Sequence, residues 1–199
     1  MKMNRYFYFT LLAGILSIAN TRSMEIEKTE YPTLPTIVEE YNKERDWKAV
    51  TDIFRESWEL LVLSGPYREN LIEILFTPHN KNDDSNLSKY MKVMRRDNQT
   101  IGFATLYMRD LEKQGSIEVF GIAKEHQRHY NGTTLLNYSI DELAKLGATH
   151  TLLHVAKSNE PAMAFYEKRG FAIKEPAFRN KEGKFLGYLM NRDNVEKNN

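Results

Sequence analysis

From Thr36 onward the apolar positions switch between two periods, every second residue and every third or fourth, and the switches predict a chain of alternating strands and helices. Ile37 to Tyr41 is a short β-type run. Trp47, Val50, Ile53, Phe54, Trp58 and Leu61 then recur at the spacing of one buried helical face, and Ser64-Gly65-Pro66 stops that helix. Asn70 to Phe76 is a second helical patch, followed by Thr77-Pro78 and by His79 to Ser88, a polar stretch without a hydrophobic period and the most loop-like interior segment. Tyr90 to Arg95 and Thr100 to Met108 flank Asp97-Asn98-Gln99 and predict a hairpin. Ser116 to Ala123 is a third run, after a turn at Gly115.

The second half has the same grammar. Leu136, Ile140 and Leu143 share one face of a helix from Thr133 to Leu146, with Gly147 as its C-terminal cap. Thr151 to Val155 is an apolar strand interrupted by His154. Ser158 or Asn159 caps the next helix, Pro161 suits its first turn and Gly170 ends it. Phe171 to Lys174 and Phe185 to Met190 are strands around a turn at Lys181-Glu182-Gly183, and the polar end from Asn191 is expected to fray. The predicted order is β, α, α, β, β, β, α, β, α, β, β, in a mixed α/β class. The domain boundaries follow as 36–191, with a polar tail at 192–199.

Composition narrows the classes. The 199 residues carry 28 Lys+Arg against 27 Asp+Glu, which lacks the basic excess of a protein that grips phosphate backbones, so no nucleic-acid partner is expected. There is no cysteine, which removes disulfides, thiolate metal sites and a cysteine nucleophile. His126 and His129 are three residues apart, but no third ligand stands in metal spacing with them, so no metal is expected.

Residues 1–19 differ from the rest. Lys2 and Arg5 precede an uncharged run from Tyr6 to Ala19, with Ser17 and Ala19 as the small residues of a cleavage site; the run is short of the ~20 residues that span a bilayer. This is a signal-peptide profile, followed by a linker at 20–35, and it predicts export with no stable span in the mature chain. A start at Met24 predicts a cytoplasmic protein instead.

Two stretches carry candidate chemistry. Ile117 to Leu136, IEVFGIAKEHQRHYNGTTLL, takes a strand through a polar loop into a helix, and backbone N–H groups at a helix N-terminus receive anions without a lysine. Leu153 to Phe171, LHVAKSNEPAMAFYEKRGF, sets Tyr166 seven residues after Asn159, two helical turns on, so both face one groove.

These stretches, in this element order, resemble the GNAT superfamily of N-acetyltransferases over roughly Thr36 to Met190. The resemblance implies the acyl-CoA N-acyltransferase fold, a central mixed and mostly antiparallel sheet with helices on both faces. It implies acetyl-CoA as cosubstrate and an amine-bearing acceptor, in a monomer or homodimer. The family's loop reads Q/R-x-x-G-x-G/A, here Gln127-Arg128-His129-Tyr130-Asn131-Gly132 followed by Thr133, with Gly132 allowing close approach of the phosphates and Asn131 tolerating left-handed backbone. Tyr130 departs from the pattern by standing at its first glycine; the ring either crowds the phosphates or lies outward against the adenine.

By the same resemblance Asn159 holds the pantetheine arm and Tyr166 lies beside the thioester sulfur, while a backbone amide near Gly121 or Ile122, on a bulged strand, holds the oxyanion. Ser116 stands where relatives carry a catalytic glutamate. The base is then Glu118, two residues along the same strand, or His154, where other relatives place a glutamate, or a water chain. The competing function is a catalytically silent module of the same fold that binds CoA weakly or binds a protein.

Overall fold

The computed structural model describes residues 35–56, 87–109, 111–180 and 182–194. Within them β1 (Ile37–Glu40) leads into α1 (Lys43–Glu56), and β2 (Leu87–Arg96), β3 (Gln99–Arg109) and β4 (Gln114–Ile122) follow. A single 3-10 turn (Lys124–His126) delivers the chain to α2 (Asn131–Lys145), after which come β5 (His150–Ala156), α3 (Glu160–Glu167), β6 (Ala172–Arg179) and β7 (Phe185–Asp193). The expected helical patch at Asn70 to Phe76, the end of the first helix at Trp58 to Pro66, the N-terminal segment and residues 195–199 lie outside the described residues.

Local signals set most boundaries. Asn42 accepts from the Arg45 amide at 3.0 Å while its own amide donates to Asp46 at 2.9 Å, a reciprocal cap on α1. Asp97 and Asn98 both take left-handed φ, 49° and 63°, the two-residue turn whose twist matches a hairpin. After α2, Gly147 adopts φ 99° and its amide returns to the Ala144 carbonyl at 2.9 Å. Asn159 caps α3 by accepting from the Ala162 amide at 3.2 Å.

Several expectations need correction. β2 begins at Leu87, inside the stretch read as loop, because its backbone pairs with β3 out to Arg109 whatever its side chains are. Gly115 lies within β4 rather than in a turn; a Cβ there would sit 2.9 Å from Leu143 Cδ1, so the glycine admits α2 onto the sheet. β6 runs on to Arg179. β7 continues past Met190 to Asp193, pairing Arg192 with Thr151 and Asp193 with His150, so the polar tail begins later than the sequence suggests.

The strands form one sheet in the order β1-β2-β3-β4-β5-β7-β6. Every neighbouring pair is antiparallel except β4 and β5, which run parallel. α1 covers one face through Val50, Ile53 and Phe54, packed on Val93, Phe103 and Val119. α2 and α3 cover the other through Leu135, Leu136, Ile140, Leu143 and Tyr166, packed on Ala104, Leu106, Ile117, Leu153, Val155 and Met190. The expected mixed, mostly antiparallel sheet with helices on both faces is the fold observed.

Two irregularities of β4 prepare the site. First, its parallel pairing with β5 covers only Gln114↔His150 to Ile117↔Leu153, although β4 runs on to Ile122 and β5 to Ala156. Beyond Ile117 and Leu153 the strands fork, and their facing backbone amides and carbonyls have no ladder partner in each other. Second, Leu106 pairs with Ile117 and Thr105 with Val119, so Glu118 is the extra residue of a β-bulge. The bulge explains why Ile117 packs in the α2 core and Val119 in the α1 core, since residues two apart on a regular strand share a face.

Candidate active site

At one end of the fork the polar loop rises into α2. Gln127 donates through Nε2 to the Ile122 carbonyl at 2.9 Å and fastens the loop to the end of β4. Asn131 is buried, 3% exposed, donating to the His126 carbonyl at 2.7 Å and accepting from Arg96 at 3.0 Å, so its side chain fixes loop shape. The left-handed positions are Arg128, at φ 62°, and Tyr130, at φ 60°, and not Asn131 as the sequence suggested. That explains the glycine of the family pattern: the site requires positive φ, and here a tyrosine adopts it. Tyr130 is 84% exposed.

Tyr130 is also the N-cap of α2 and supplies no side-chain hydrogen bond to it. The first intrahelical bond runs from the Thr134 amide to the Tyr130 carbonyl at 3.0 Å, so the amides of Asn131, Gly132 and Thr133 head the helix without an intrahelical acceptor. A Cβ on Gly132 would meet nothing nearer than the Phe165 ring edge at 3.5 Å, an ordinary contact, so the protein's own packing does not demand a glycine there. Arg169 stacks on Phe165 with its guanidinium carbon 3.7 Å from the ring centroid, donates to the Phe165 carbonyl at 2.8 Å and bonds the Thr133 hydroxyl, tying the end of α3 to this first turn. His129 is exposed.

Deeper in the fork, on the α2 side, Tyr166 meets Phe120, Phe165 and Phe171 edge to face, with centroids 6.5, 5.3 and 5.8 Å away. Its residue exposure is 9%, and burial among these rings raises the hydroxyl pKa well above the usual tyrosine value. The phenol is neutral across the physiological range, and its hydroxyl has no hydrogen-bond partner among the described residues. Asn159 engages its side-chain oxygen in the α3 cap, and its NH2 takes no part in that cap.

The α1 side of the fork carries the candidate bases. His154 is the exposed position of β5, between Leu153 and Val155 that point into the α2 core, and its ring lies 4.8 Å from that of Phe178. Glu118, the bulge residue, is exposed and accepts a hydrogen bond from the Ser116 hydroxyl. Tyr107, paired with Ser116 across the strands, has its pKa raised by burial and further by the Glu118 charge. Glu118 and His154 each stand one residue beyond the last β4–β5 pair, so both candidates border the fork. Tyr166 approaches it from the opposite face.

Gly121 and Ile122 lie on β4 past the fork, still paired with Phe103 and Gly102. Gly121 faces α1, where a Cβ would come within 2.9 Å of Ile53, while the bulge falls three residues earlier at Glu118. Nothing in the alternation of IEVFGI announces the bulge. The Arg96 clamp on Asn131 also escaped the sequence, because its partners are 35 residues apart. Among the described residues there is no group of three or more His, Asp or Glu suited to a metal ion, and no helix is long and apolar enough to cross a membrane.

Comparison with known proteins agrees with this geometry. The profile of the acetyltransferase (GNAT) family matches residues 47–171, more than half of the chain, and the chain belongs to that family. It is therefore an acyltransferase, with acetyl-CoA as the cosubstrate that membership implies. A stretch of 61 residues is 33% identical to the mycothiol acetyltransferase of Corynebacterium aurimucosum; it covers 31% of this chain and only 20% of that protein. Among solved structures, Ard1 of Thermoplasma volcanium superposes with a TM-score of 0.62 at 21% identity, over 81% of this chain and 99% of its own. The PaiA N-acetyltransferase of Thermoplasma acidophilum, solved with coenzyme A, gives 0.62 at 21%, over 80% and 99%. These likenesses speak for the fold.

Proposed function

We propose that the fork between β4 and β5 transfers the acetyl group of acetyl-CoA to a primary amine, of a small molecule or a peptide, with Glu118 as base and Tyr166 as proton donor. The observation that carries the reading is the meeting, at one break in the sheet, of an uncapped helix N-terminus, a buried neutral phenol and an exposed carboxylate. The residues fit the cosubstrate. The amides of Asn131 to Thr133 suit its pyrophosphate, the unladdered backbone of β4 and β5 suits the amides of its pantetheine arm, and Asn159 offers an NH2 to the same arm. Acetyl-CoA supplies an acetyl group already activated as a thioester.

The protein supplies the proton handling. An alkylamine with a pKa of about 10.4 arrives protonated and must lose that proton before it can attack, and a carboxylate at the fork is the group to receive it. Tyr166, held neutral by its apolar cage, donates a hydrogen bond to sulfur as charge develops there. Because burial raises its pKa above that of a thiol near 8.5, it stabilises the leaving group more by hydrogen bonding than by outright transfer. The purified full-length chain should bind acetyl-CoA and release free CoA, faster with an amine present. Binding without any release would favour the silent module.

A further inference from the structure

We propose that Ser116 is a positioning residue of the acetyl transfer, holding the bulge carboxylate of Glu118 in the one orientation that presents its second oxygen to the incoming amine. The inference rests on the reading of Glu118 as base given above. It starts from the bulge. With Ile117 opposite Leu106 and Val119 opposite Thr105, the β3–β4 ladder closes without residue 118, so the sheet makes no use of it. A bulge residue has no partner directly across the ladder, and a glutamate there is free to spread over the rotamers of three side-chain torsions.

Among the described residues, one hydrogen bond restrains it. The Ser116 hydroxyl donates to Oε1 of Glu118, and a serine hydroxyl that gives its proton to a carboxylate leaves Oε2 with its acceptor capacity intact. Ser116 is itself fixed by pairing on both sides, with Tyr107 on β3 and Leu152 on β5, so the hydroxyl is held by regular sheet just before the fork opens. His154 has a different neighbour in the Phe178 ring. An alkylammonium sheds two protons: the first passes to Oε2 of Glu118 and on to solvent before attack, and the second follows the same route as the N–C bond forms and the C–S bond breaks. The departing thiolate, held by the Tyr166 hydrogen bond, takes one proton back from solvent, so each turnover releases one proton.

The test is a double-mutant cycle on the full chain, using Ser116→Ala, Glu118→Gln, the pair together, and Ser116→Thr. The readouts are the dissociation constant for CoA and the release of free CoA from acetyl-CoA, with water, glycinamide and 1,4-diaminobutane as acceptors. The expected result is a loss of roughly a hundredfold or more in turnover for Glu118→Gln, and of about tenfold for Ser116→Ala. CoA affinity should stay within a factor of about two, Ser116→Thr should restore the rate to within about threefold, and Ser116→Ala should cost nothing more once Glu118 is gone. Equal losses from Ser116→Ala in both backgrounds, or no loss in either, would overturn the positioning role and leave Glu118 as base. Wild-type rates from Glu118→Gln, or no CoA release by the wild-type chain, would overturn the base assignment and this inference with it.

Discussion

Tyr166 of α3 and Phe120 of β4 meet edge to face across the fork, with ring centroids 6.5 Å apart and planes at 70°. A phenyl ring satisfies that contact as well as a phenol does. Tyr166→Phe should therefore keep the fold and the affinity for CoA while lowering turnover by about a hundredfold or more, the size expected when a proton donor is removed. Calorimetric titration with CoA alongside the rate of CoA release checks it. An unchanged rate would make Tyr166 a core residue only.

Tyr130 holds a left-handed backbone that costs a non-glycine residue about 1 kcal/mol, yet exposes nearly its whole ring. Strain that buys no burial points to a ligand contact. Tyr130→Gly should raise the unfolding free energy by an amount on the order of 1 kcal/mol, seen as a higher melting temperature, while weakening CoA binding about tenfold through loss of a stacking surface for the adenine. Equal or tighter binding would remove the ring from the cosubstrate site.

Gly132 separates stability from binding in the same way. An added methyl meets only the Phe165 ring at 3.5 Å, and alanine is the better helix former by up to about 1 kcal/mol. Gly132→Ala should fold at least as stably as the wild type but bind CoA tenfold more weakly or worse, because the methyl stands where the phosphates approach the amides. Thermal melts with and without CoA give both numbers. A variant that binds normally would move the phosphates elsewhere.

How far the sequence disclosed these features depended on distance along the chain. The Asp97-Asn98 turn, the Gly147 cap and the Asn159 cap are local events, decided by the residue at the position, and all three were legible. The parallel β4–β5 pair and its early end were not, since the hydrophobic run of β4 looks the same before and after it parts from β5. Glu118 was a candidate base from its position alone, but its place on a bulge came only with the register. Nothing in the helical period marks Asp46 on the first turn of α1, yet in the fold it is wholly buried.

Asp46 gives the pH prediction. Burial alone would raise its pKa, but hydrogen bonds from Arg45, the Asn42 amide and Thr100, with the Arg45 charge, outweigh burial and hold it at about 2. The folded-state value lies below the unfolded value near 3.9, so its stabilisation is complete above that pH and is lost as pH falls through 2. It amounts to about 2 kcal/mol. Acid unfolding followed by circular dichroism should show this loss in the wild type. In Asp46→Asn the corresponding slope should be absent and stability lower at neutral pH, because the Arg95 guanidinium loses its buried carboxylate partner at 2.9 Å and keeps only the half-exposed Glu39 at 3.2 Å. A variant as stable as the wild type at pH 7 would contradict the assignment.

The bulge at Glu118 also has a hereditary meaning. Because the ladder closes on either side of it, dropping a single codon would leave Ile117 and Val119 on the faces they already occupy, with their partners on β3 unchanged. A lineage can thus acquire or shed a carboxylate at this point by one in-frame triplet, without remodelling either core, and the chemistry of the fork can evolve independently of the fold that surrounds it.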